Sequence, residues 1–129
     1  MRPLFAIFLL VVVSSCTSKP PDTPSNHLGN LEHQFDISEK ARPAFEKGML
    51  LLHSFEYDDA REAFQEAVMA DENEIMAYWG EAMTHYRALW KLQDVDAGRA
   101  VMDKLGSSSE SRLARITDEL ERDFWIGVE

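Results

Sequence analysis

The chain has 129 residues, a formal net charge of −10 and one cysteine. That length suits a single domain with a modest core, and a lone cysteine excludes an internal disulfide framework. There is no basic cluster to neutralise phosphates, and the negative field repels polyanions, so the composition argues against nucleic acid as a partner.

Arg2 is the only charge before the ten apolar residues Leu4 to Val13. A membrane span needs about 20 apolar residues, so this run has signal-peptide length and residues 1–15 are predicted to be a leader. Val13-Ser14-Ser15-Cys16 resembles the bacterial lipobox. The resemblance implies cleavage before Cys16, acylation of its sulfur and a lipoprotein anchored in the bacterial cell envelope, on the periplasmic or surface side. Acyl chains add about 0.8 kcal/mol of membrane affinity per buried methylene, so two or three hold a protein firmly. An ordinary signal peptide cut nearby, beside a stray cysteine, is the alternative. Residues 16–30 contain Pro20, Pro21 and Pro24 and no periodic apolar positions. They read as a flexible linker reaching at most about 45–50 Å.

Residues 31–129 are predicted to be all-α. Leu31 to Ile37 read as an entry segment that packs Phe35 or Ile37 against the first helix. Ala41, Ala44, Phe45, Gly48, Met49, Leu51 and Leu52 then follow the three-and-four spacing of one buried helix face. Glu56-Tyr57-Asp58-Asp59 suits a helix start, and Ala60, Ala63, Phe64, Ala67 and Val68 mark the second stripe. A third helix is expected to carry Met76, Tyr78, Trp79, Ala82, Met83, Tyr86, Leu89 and Trp90. A fourth runs from about Val95 to Leu105, with Gly106 as a left-handed cap. Ser107 with Glu110 predicts a capping box opening a fifth helix, with Leu113, Ile116, Leu120, Phe124 and Trp125 on its apolar side. That side is expected to be too wide for its neighbours to cover, which predicts self-association through this helix. No sustained period-two alternation predicts a strand.

Phe45-x-x-Gly48-Met49-x-x-Leu52 superposes at a spacing of 34 on Trp79-x-x-Ala82-Met83-x-x-Tyr86. Gly48 to Asp71, with Glu56-Tyr57-Asp58-Asp59-Ala60, Phe64 and Ala67 at its marked sites, resembles a tetratricopeptide repeat. Glu72 stands where that family usually has proline. Two repeats are placed at about 41–74 and 75–106, with the start of a third unit at 109–129. The second fits less well, because Leu89 to Asp96 gives a longer turn than the family norm. The resemblance implies a right-handed solenoid of antiparallel helical hairpins that works by holding a protein or peptide. The wording of Gly48 to Tyr57 and Ala77 to Met83 also resembles larger bacterial tetratricopeptide proteins. The rival reading is therefore an N-terminal piece of a longer enzyme or ligand-binding protein in which these repeats are scaffold.

No residue pattern for a metal, cofactor or catalytic site stands out. His27, His33, His53 and His85 lack metal-ligand spacing, and there is no nucleophile elbow or phosphate loop. The expectation is a non-catalytic scaffold with no cofactor and no metal. The resemblance implies that the first helices line a concave face. Carried over residue by residue, that face offers Phe45, Met49, Leu52 and His53 from the first repeat, and Trp79, Met83, Tyr86 and Arg87 from the second. Aromatics and arginine dominate binding energies, which favours Trp79, Tyr86 and Arg87, while burial between helices is the competing reading of the aromatic pair.

Overall fold

The computed structural model describes residues 28–33 and 35–129. The expected leader, Cys16 and most of the expected linker lie outside the described residues. The body is mostly helical: α1 (Arg42–His53), α2 (Tyr57–Ala70), α3 (Ile75–Met83), α4 (Val95–Asp103), α5 (Ser109–Leu113) and α6 (Glu119–Ile126). None of these helices is long and apolar enough to cross a membrane.

Helix α1 starts at a turn in which the Ala41 and Arg42 amides donate to the Ser38 carbonyl, with Pro43 in its first turn, where a missing N–H costs nothing. It ends in a Schellman motif. The Glu56 amide reaches back to the Leu51 carbonyl and the Phe55 amide to that of Leu52, which turns the chain into α2 within three residues. Such a short connection makes α1 and α2 antiparallel neighbours.

Their contact is set by Phe64, fully buried on α2, which lies against Gly48 on α1 and Gly80 on α3. A Cβ at Gly48 would stand 2.8 Å from the ring, and one at Gly80 would overlap it further. Small residues at both crossings therefore let three helices close on one aromatic ring. Helix α3 is the centre: every residue from Met76 to Ala82 is buried, as expected of a helix packed on all sides. It carries Glu81, whose carboxylate accepts from the Gln65 amide at 2.9 Å and faces the Lys104 ammonium at 3.5 Å.

The predicted third helix is shorter than its apolar stripe. It stops at Met83, because the buried Thr84 hydroxyl donates to the Glu81 carbonyl at 2.7 Å and accepts from Arg61 Nε. Tyr86, Leu89 and Trp90 instead belong to a hairpin, contrary to the expectation of no strand. Its strands are β1 (Tyr86–Arg87) and β2 (Leu92–Gln93), joined by a 3-10 turn at Ala88–Trp90 and by Lys91 at φ +53°. The Asp94 amide donates to the His85 carbonyl and closes the hairpin, while the Asp94 side chain caps α4 through the Ala97 amide.

The C-terminal part also departs from expectation. The capping box pairs Ser108 with Ser111 rather than Ser107 with Glu110, and the fifth helix breaks after one turn. Asp118 then caps α6 through the Glu121 amide. Gly106 is not left-handed, and its small size leaves room for the Ser111 side chain. Arg112 is buried and joins α5 to its surroundings by donating to Asp103, to the Gly106 carbonyl and to both oxygens of Glu129.

Helix α6 folds back onto α3. Phe124 packs edge-on to Trp79 at 5.1 Å and against Phe35 at 5.7 Å, and the Trp79 indole donates to the Phe124 carbonyl at 3.0 Å. Phe35 in turn meets Phe45 on α1, and Phe45 meets Phe64. The Asp36 amide donates to Glu121 on α6 and the Ser38 amide to Glu74 just before α3, pinning this N-terminal segment to both. Trp125, expected to widen an exposed face, has no solvent exposure at all. The exposed large apolar side chains of α6 are Leu120 and Ile126.

Candidate functional site

The hairpin is a wall between two grooves. Successive side chains on a strand face opposite sides, and cross-strand partners share a side. Arg87 pairs with Leu92, and both line a groove of about 450 Å³ against the α1–α2 turn. Tyr86 pairs with Gln93, and both line a groove of about 570 Å³ against α4 and the C-terminal turn.

The first groove has the more unusual construction. Phe55, Tyr57 and Trp90 form a closed triangle of rings, with centroids 6.4 Å apart for Phe55 and Tyr57, 6.1 Å for Phe55 and Trp90, and 5.6 Å for Tyr57 and Trp90. Phe55 and Trp90 remain 51% and 53% exposed, beside Leu92 at 58% and Leu89 at 67% on the hairpin. Scattered apolar side chains on a surface are ordinary, whereas Phe55, Tyr57 and Trp90 are in mutual contact.

The two non-glycine residues with positive φ among the described residues are Phe55, at +64°, and Lys91, at +53°. Phe55 occupies the Schellman position that favours glycine, and Lys91 is in the turn that presents Trp90. Left-handed backbone at a bulky residue costs about 1–2 kcal/mol, so the sequence accepts strain at both supports of this cluster.

Arg87 fixes the two sides of the groove to each other. Its Nη1 donates to Asp58 Oδ2 at 3.4 Å, its Nη2 donates to Asp58 Oδ1, and its guanidinium carbon lies 5.4 Å from the Tyr57 ring centroid. The Arg87 guanidinium, aided by Arg61, holds the Asp58 carboxyl below the usual aspartate range.

In the second groove, Met83, Met102 and Val128 supply apolar wall, and His85, Asp94, Arg99 and Glu129 supply the polar groups. Burial, with Arg61 nearby, pushes His85 below the usual histidine range, which keeps its imidazole neutral near pH 7. Among the described residues, no three His, Cys, Asp or Glu side chains are placed to hold a metal ion.

The residues expected on a concave face are dispersed. Phe45, Met49 and Trp79 are core residues, Phe45 against Phe35 and Trp79 against Phe124, and cannot meet a partner in this fold. Leu52 is half-buried, and His53 is exposed at the end of α1. Met83, Tyr86 and Arg87 reach the grooves, but Tyr86 and Arg87 face different ones. Phe55, Trp90 and Leu92 were not expected at a site. The available signal was the break in helical pattern from Leu89 to Asp96, which also carries unneeded apolar bulk.

No family model matches the chain. No curated protein matches it, and no solved structure does.

Proposed function

We propose that residues 41–106 form two tetratricopeptide-like hairpins of a right-handed solenoid and that the chain is a non-catalytic docking or scaffold module. On this reading it is a lipoprotein of the bacterial cell envelope, tethered through Cys16 and a proline-containing linker. The order of α1 to α4 and the glycine contacts around Phe64 support the hairpin reading. The observation that carries the docking role is the exposed Phe55–Tyr57–Trp90 cluster, raised on two left-handed residues. Glycine would adopt both backbone conformations without strain, yet Phe55 and Lys91 stand there. The working surface is therefore the α1–α2 turn with the hairpin, in place of the concave face, which α6 fills.

Site-specific photocrosslinking in cells tests this. A photoreactive residue at position 90 is expected to trap a discrete partner, while the same residue at Met69, the most exposed large apolar position among the described residues, is expected to trap none. Equal labelling at both positions, or none at position 90, would count against the docking role.

A further inference from the structure

The charge pattern of the first groove narrows its partner, an inference that rests on the docking role proposed above. Three carboxylates, Glu56, Asp58 and Asp59, line the groove against one guanidinium, Arg87, which is committed to Asp58. Among the described residues no ion pair engages Glu56 or Asp59. A neutral or acidic partner would desolvate these carboxylates without compensation, whereas a cation meets both the surplus charge and the exposed ring faces. The chain shows this mode of recognition within itself, since Arg87 grips a carboxylate through two nitrogens while lying over Tyr57.

We infer that the groove docks a protein segment bearing an arginine or lysine beside an apolar side chain. The cation sits between Glu56, Asp59 and the face of Trp90, and the apolar neighbour rests on Phe55 and Leu92. A bilayer is the other surface that an exposed Leu89 and Trp90 could meet, but the same carboxylates repel anionic headgroups, so a cationic peptide fits better.

Trp79 and Trp125 are buried, so the solvent-quenchable part of the tryptophan emission reports Trp90. The full chain in nonionic detergent is titrated with acetylated peptides alternating leucine with arginine, with citrulline or with glutamate. The arginine peptide is expected to shield Trp90 from acrylamide and to bind about tenfold or more tightly than its neutral citrulline analogue. That advantage is expected to shrink severalfold between roughly 0.05 and 0.5 M salt. The double variant Glu56→Gln, Asp59→Asn is expected to lose it while melting like the parent.

Equal binding of the arginine and citrulline peptides, or an advantage untouched by the double variant, overturns the cationic assignment and leaves the docking role standing. Trp90 left unshielded by every peptide overturns both. Trp90 shielded in phosphatidylcholine bicelles before peptide is added assigns the cluster to the bilayer and likewise overturns peptide docking.

Discussion

The ring of Phe64 lies so close to Gly80 that no side chain larger than hydrogen fits between them. Gly80→Ala is therefore expected to destabilise the fold by about 1–3 kcal/mol through overpacking, despite the better helix propensity of alanine. Gly98, in the middle of α4, is the control. A Cβ there would meet the Ala82 carbonyl at an ordinary 3.6 Å, so Gly98→Ala is expected to stabilise by about 0.5–1 kcal/mol. Urea unfolding of the two variants reads opposite signs if this packing is right. A stabilising Gly80→Ala would disprove it.

At Phe55 the backbone and the side chain pull in opposite directions. Phe55→Gly relieves about 1–2 kcal/mol of left-handed strain. It also forfeits aromatic contacts with Tyr57 and Trp90 of about 0.5–1.5 kcal/mol each. The melting temperature is expected to stay nearly level. Phe55→Ala keeps the strain and loses the contacts, and is expected to melt below both the parent and the glycine variant. Alanine melting at or above glycine would mean the turn is not left-handed in solution.

Stability should respond to mild acid through Glu121. Burial pushes its carboxyl above the ordinary value of 4.5, against the Asp36 amide that favours the ionised form, and Asp118, Asp36 and Glu74 add repulsion. A group raised in the folded state contributes stability that is complete below its unfolded pKa and is lost as pH rises through its folded one. His85, lowered from 6.5, works the other way on acidification, and Asp58 and Asp71, lowered from 3.8, withdraw their contributions only in stronger acid. Comparison with Glu121→Gln isolates the one group. From pH 7 down to about 4.5 the parent is expected to gain stability relative to the variant. A gap between them that does not change with pH would refute the assignment.

Trp125, fully buried on the inner side of α6, is expected to be a core anchor. Trp125→Ala should cost about 3–5 kcal/mol. Ile126→Ala, at a half-exposed neighbour, should cost well under half of that. Chemical denaturation of the pair distinguishes the packed helix described here from a frayed one, in which both changes would be minor.

The four helices between Arg42 and Asp103 were legible because their buried faces repeat with the helical period and are punctuated by turn residues. Phe45, Phe64 and Trp79 recur at packing positions whatever the partner helix is. The hairpin was not legible, since Tyr86, Leu89 and Trp90 continue the α3 stripe at helical spacing. What stops the helix is a tertiary matter: Thr84 turns its hydroxyl onto a backbone carbonyl while Arg61 from α2 holds it. Periodicity likewise could not show that Phe124 and Trp125 would both be used by one helix, Phe124 toward Trp79 and Trp125 inward. The site was half readable. Arg87 was singled out for its chemistry, whereas Phe55 draws its importance from a backbone angle that composition does not display.

The hairpin is thin. It is two strands of two residues, with Arg87 and Leu92 facing one groove and Tyr86 and Gln93 the other. Any displacement of so thin a partition toward one groove would reshape the opposite groove by the same movement. Linkage requires the effect to be mutual: whatever factor a guest in one groove imposes on affinity in the other is returned to it unchanged. The same four residues are thus a shared wall of both recesses, and a change of shape on one side is a change on the other.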